Sequence, residues 1–289
     1  MQRPPALTRT LLRYRRVYAV VAATLRGTLA DGFAHAGNLA YLSLLTIFPF
    51  LILLATAAAA LMPGDAAPRL LADLLRVLPP DVARLIAPAL AEALTSRASG
   101  GLITFGVAVT LWTVTGFIET VRTIIRDAYG VADTVPFWRY RLRALALLLL
   151  VVAALLLAFS AQVLLQGVEA AFGQLFPGAA PLAPVTARLW LPAMLFAALW
   201  AMFALLTPLR FHTLPIWPAA LVTALAWVGA TFALPRVLAL ASNYTLTYGS
   251  LAGVIIALLY FYLIGLGVVV GANLNAALAK TGRKRLRAA

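Results

Sequence analysis

Residues 144–166 read ALALLLLVVAALLLAFSAQVLLQ, twenty-three positions without a charge. As a helix this run rises about 35 Å, enough to cross the roughly 30 Å hydrocarbon core of a bilayer. Phe33–Met62 and Ser250–Leu278 are equally free of Asp, Glu, Lys and Arg. Three weaker apolar stretches complete the set. Leu189–Thr207 is about one span long, Gly101–Ile118 runs into Glu119 and Arg122, and 215–235 opens at Leu214-Pro215 and closes at Pro235-Arg236. Pro49, Pro192 and Pro218 do not veto these spans, because neighbouring helices can satisfy the freed backbone groups.

Composition agrees with the spans. The 289 residues are 63% hydrophobic and 11% charged, with a mean hydropathy of +0.96. Soluble domains carry about 45–50% apolar and about 25% charged residues. The expected fold class is therefore all-α, a polytopic membrane bundle of six transmembrane helices with amphipathic extracytoplasmic and cytoplasmic helices.

Basic residues orient it. With six spans and both termini inside, 17 of the 23 Lys and Arg fall on the inner face and 6 on the outer. Four acids (Asp31, Glu119, Asp127, Asp133) lie inside and five outside, a net of +13 against +1. Five or seven spans would put one basic terminus on the wrong side of the membrane. The expected organisation is a basic cytoplasmic segment over 1–32, a transmembrane domain over 33–279 and a basic cytoplasmic tail over 280–289. Met1–Arg16 has five Arg and no acid, and lacks the apolar core of a removable signal peptide.

Between the first two spans, 64–100 reads as two amphipathic helices, Pro68–Leu78 and Asp81–Ser96. They break at Pro79-Pro80 and are expected on the outer surface or as a cap on the bundle. The segment Glu119–Arg143 reads as a cytoplasmic helix followed by a break at Thr134-Val135-Pro136, with Trp138 and Tyr140 as interfacial anchors.

Polar groups inside a span are costly and mark a partner, a cavity or a path. Asp31, His35 and Asn38 recur at i, i+4 and i+7 on one helix face. Tyr41, Ser43 and Thr46 follow, and Thr46-x-x-Pro49 can bend the helix. Glu119 and Arg122 stand at i and i+3, and Asn273 and Asn275 near the inner end of the sixth span. All fall in the inner half of the membrane, so they are candidates for one cytoplasm-facing vestibule. They serve equally as a local ion pair and interhelical hydrogen bonds, which hold helices together at about 1 kcal/mol each; both readings stay open. On the outer side Gln162, Gln166, Glu169, Asn243, Tyr244 and Tyr248 cluster near span ends, and Gly249 reads as the turn into the last span. Gly267-x-x-x-Gly271 is a close-packing signature.

Several chemistries find no residues. Cys is absent and His occurs only at 35 and 212, so thiolate and histidine-based metal sites are not expected. No Gly-x-Ser-x-Gly, phosphate loop or His-Glu-x-x-His occurs. Neither an enzyme nor a cofactor is expected.

The first span, Gly37-Asn38-Leu39-Ala40-Tyr41-Leu42-Ser43-Leu44-Leu45-Thr46-Ile47-Phe48-Pro49, resembles the first-span motif of the YihY/BrkB family of bacterial inner-membrane proteins. Tyr248-Gly249-Ser250-Leu251-Ala252-Gly253, Leu259-Tyr260-Phe261-Tyr262-Leu263 and Gly271-Ala272-Asn273-Leu274-Asn275 are similar to its C-terminal pattern. Leu214-Pro215 with Pro218, Ala219 and Trp227 is similar to its fifth-span entry. Asn273 departs from the family, which usually has Glu there, and Tyr260 stands where Trp is common; a proton-coupled role through position 273 has no ionisable group here. The family once carried a ribonuclease label, which the residue inventory opposes, and its members are known mainly as envelope or virulence-associated proteins. The resemblance implies a multi-pass protein of the bacterial inner membrane, with no agreed activity.

Three functions follow as expectations. One is a transport or lipid-handling protein, with the lipid bilayer and anionic headgroups as partners of the basic face, at about 1 kcal/mol per basic residue. The alternative is a non-catalytic scaffold for envelope integrity, with 68–96 as its interaction surface. A nuclease is the third and the least supported, and no nucleic-acid partner is expected. Whether the chain forms a homo-oligomer stays open.

Overall fold

In an apolar run the backbone must satisfy its own N–H and C=O groups, and the helix does this within one segment. The computed structural model describes residues 6–61, 66–95, 100–131, 136–175, 183–208, 211, 215–240 and 251–286. Over these it is all-helical, with no strand. The elements are α1 (Ala6–Gly27), a π-helical turn (Thr28–Gly32), α2 (Phe33–Leu61), α3 (Ala66–Val77), α4 (Pro80–Thr95), α5 (Gly100–Tyr129), α6 (Phe137–Leu175), α7 (Ala183–Leu206), α8 (Trp217–Leu240) and α9 (Ala252–Leu286). Among the described residues, five stretches are long and apolar enough to cross a membrane: Val17–Ala55, Ala108–Tyr129, Trp138–Ala161, Trp217–Leu238 and Ala252–Thr281. A sixth apolar stretch, Pro192–Leu206, is shorter.

Two boundaries differ from the sequence reading. The first apolar helix does not start at Phe33; the chain is helical from Ala6 through the π turn to Leu61. Gly27 and Gly32 keep α1 and this turn close to α9, where Asn273 and Val269 occupy the space their side chains would take. Likewise, the residues after Glu119 form no separate helix but continue α5 to Tyr129. Gly130, at φ +68°, ends it. Its N–H donates to the Asp127 carbonyl at 2.9 Å, and that of Val131 to Arg126 at 3.1 Å, the double bond of a Schellman cap that needs glycine's left-handed conformation.

The α9 helix is the axis of the bundle. Against α8, Thr223 donates to the Gly267 carbonyl at 3.2 Å and the Trp227 indole to that of Ile264 at 3.0 Å. Thr231 and the buried Tyr260 share a hydroxyl bond at 3.1 Å. Gly267 and Gly271 face Ala226 and Thr223 of α8, while Gly265 lies against Ala36 and Leu39 of α2. The glycines thus put two neighbouring helices within backbone reach on different sides of α9. Between α2 and α5, the α3–α4 hairpin buries Leu70, Leu71, Val82 and Ile86 and leaves Arg69, Arg76 and Arg84 exposed.

A pocket between α1, α5 and α9

Where α1, the π turn and the start of α2 pass the ends of α5 and α9, the helices leave a pocket of about 390 Å³. Ala23, Gly27, Ile124, Val269, Ala276 and Ala277 form its apolar wall. Its polar groups are Arg26, Asp31, His35, Asp127, Asn273 and Lys280. His35 and Asn273 are half-buried, and the four charged residues are exposed, so the pocket opens to its surroundings.

Each polar group is held by an identifiable device. Asp31 sits inside the π turn, a rare distortion that recurs at functional sites. The Asn273 amide donates to Val269 of its own helix at 3.0 Å, and its carbonyl end fills the notch left by Gly27. Lys280 donates to the Ala128 carbonyl at 3.1 Å; it satisfies a free acceptor at the end of α5 and places a cation at the negative pole of that helix. Arg26 bonds back to Ala22 at 3.2 Å through Nε. Among the described residues, none of Asp31, His35 and Asp127 is in an ion pair.

The profile of the family described as Virulence factor BrkB matches residues 25–289. The chain belongs to the BrkB family. It is 29% identical over 272 residues to a Bacillus subtilis (strain 168) protein named as ribonuclease-like, YfkH, across 90% of this chain and 94% of that one. No solved structure matches. Family and apolar helices together make the chain a multi-pass membrane protein.

Of the residues singled out in this BrkB sequence, Asp31, His35 and Asn273 meet in the pocket. Asn38 and Tyr41 do not line it; they lie further along α2 and are exposed, Tyr41 by 60%. Ser43 is half-buried, and Thr46 is buried with its hydroxyl donating to Leu42 at 2.6 Å, three residues before Pro49 within α2. Asn275 is buried on the far side of α9, since two helical residues two apart diverge by about 200°. Tyr248 and Gly249 lie outside the described residues.

Glu119 and Arg122 build a separate cluster. Glu119 accepts from Arg141 of α6 at 3.3 Å, with the two side chains only 24% and 15% exposed. The Arg141 guanidinium also donates to the Trp112 carbonyl at 3.1 Å and lies 3.8 Å from the centre of its indole. That of Arg122 lies 4.1 Å from the Tyr140 ring centre. The residues therefore tie α5 to α6, where their spacing alone suggested a pair within one helix.

Arg26, Asp127 and Lys280 were missed by sequence reasoning. Lys280 carried a usable signal, because it is seven residues after Asn273 and so on the same helix face. Arg26 and Asp127 carried none, since they join the pocket through the packing of α1 and α5 on α9. Among the described residues, no group of three His, Asp or Glu could hold a metal ion.

Proposed function

We propose that this protein is a non-enzymatic transport protein of the bacterial inner membrane whose cargo is lipid, with six spans and both termini in the cytoplasm. One observation carries the reading: the exposed face of α2 carries Asn38 and Tyr41, next to the pocket that holds Asp31 and His35. Leu45 and Ile52 are exposed beyond them. A closed pore would turn such groups inward. An exposed polar line suits a headgroup that moves along the protein while its acyl chains stay in the bilayer. The Lys and Arg distribution supports a pocket at the inner leaflet, where basic side chains attract anionic lipid.

The test is translocation of an acyl-labelled fluorescent phospholipid in vesicles holding the purified protein, read by bleaching of the outer leaflet. The parent is expected to move lipid. The Asp31→Ala/Asn38→Ala variant is expected to be about tenfold slower, the effect of losing one or two hydrogen bonds to the headgroup. Arg236→Ala, whose guanidinium bonds back to Phe232 of α8 at 2.7 Å, is expected to match the parent. A parent that moves neither lipid nor ion nor solute would refute transport and leave a scaffold, with the α3–α4 hairpin as its docking surface.

A further inference from the structure

The charges of the pocket balance, and they do so on a face that is otherwise strongly basic. Arg26 and Lys280 oppose Asp31 and Asp127, two positive against two negative, for a sum of zero. Of the four acids that the six-span topology puts on the inner face, Glu119 is held by Arg141 and Asp133 lies outside the described residues. The remaining two both line this pocket. A site for a simple anion would gain nothing from two carboxylates in its wall, and a site for a simple cation nothing from an arginine and a lysine.

We infer that the pocket binds a phosphate–ammonium zwitterion, the chemistry of an ethanolamine phospholipid headgroup or of free phosphoethanolamine. Arg26 and Lys280 take the phosphate, and Asp31 and Asp127 take the ammonium. The assignment deepens the lipid-handling reading and rests on the same pocket. Both cations have donors to spare: Lys280 uses one of its three N–H groups on Ala128, and Arg26 one of its five on Ala22. Asp31 and Asp127 are free of ion pairs among the described residues. His35 and Asn273 add further hydrogen-bonding groups to the wall. The volume of about 390 Å³ falls in the range of small-molecule sites, about 300–1,000 Å³. Beside the pocket, Leu25, Leu29 and Phe33 form an exposed apolar flank against which acyl chains can lie.

Native mass spectrometry of the full chain in detergent tests this without any transport step. The probes are phosphatidylethanolamine, phosphatidylglycerol of the same acyl chains, and soluble phosphoethanolamine as competitor. The parent is expected to retain the ethanolamine lipid about fivefold better than the glycerol lipid, the size of one exposed ion pair. Asp31→Asn/Asp127→Asn is expected to lose that preference, and Arg26→Gln/Lys280→Gln to lose both lipids. All four side chains are exposed, and an unchanged elution profile and melting midpoint confirm that each variant is folded. Displacement by phosphoethanolamine, or its retention alone, supports the zwitterion and separates the soluble source from the lipid. Equal retention of the two lipids, a preference that survives loss of both acids, or no retention of any probe overturns the inference. Selective retention by a protein that translocates nothing would sink the transport reading alone; translocation without headgroup preference would sink this one alone.

Discussion

Replacing Gly271 by alanine is expected to cost about 2–4 kcal/mol of stability, and replacing it by leucine to abolish the folded protein. A Cβ at Gly271 would overlap the Thr223 hydroxyl and come within 2.9 Å of the Phe203 ring and 3.2 Å of the Ala219 carbonyl. Thr223 cannot turn away without giving up its bond to the Gly267 carbonyl. Phe203 is fully buried, and the Ala219 oxygen belongs to the backbone of α8. The strain therefore has no flexible side chain to absorb it, and it falls on the α8–α9 contact that centres the bundle. Gly229→Ala is the control, because a Cβ there meets nothing within 4 Å. It is expected to stay within about 1 kcal/mol of the parent, on the stabilising side if helix propensity decides. Thermal unfolding in detergent, followed by the loss of the monodisperse chromatographic peak, reads both. Equal midpoints for the two variants would contradict the packing of α9.

Arg141→Ala is expected to destabilise the protein by about 2–3 kcal/mol, below the roughly 3–5 kcal/mol found when one partner of a fully buried pair is removed. The lower figure follows from the residual exposure of both side chains. Removal strips Glu119 of its ion pair, takes one of its donors from the Trp112 carbonyl, which keeps that of Thr115, and removes the cation stacked on the indole. The double variant Glu119→Gln/Arg141→Ala is expected to recover part of the loss, since no carboxylate then remains to be desolvated. Melting midpoints of the two singles and the double form a cycle that isolates the pair. Additive losses would show that Glu119 and Arg141 act independently, contrary to their geometry.

The apolar helices were legible because charge-free runs of bilayer length have few alternatives, as 144–166 and 250–278 show. Their ends were less so. Nothing in Thr28–Gly32 announces that helix continues through Asp31 and Gly32, since continuity rests on α1 packing against α9, a contact about 240 residues away in the chain. The site was half legible. Asp31 and His35 share a face by spacing, and Lys280 shares one with Asn273. Grouping Asn273 with Asn275 ignored the turn of the helix between them. The pairing of Glu119 with Arg141 rather than with a neighbour on α5 depends on how α5 meets α6, which no local pattern encodes.

In the proposed topology the pocket lies at the cytoplasmic face, and the absence of native cysteine allows that to be measured directly. Single cysteines at Asp127, exposed in the pocket, and at Leu61, 74% exposed at the far end of α2, are to be labelled with a membrane-impermeant maleimide in right-side-out and inverted vesicles. Asp127→Cys is expected to react only in inverted vesicles and Leu61→Cys only in right-side-out ones. Labelling of Asp127→Cys from the outside, or of both positions from the same side, would contradict it.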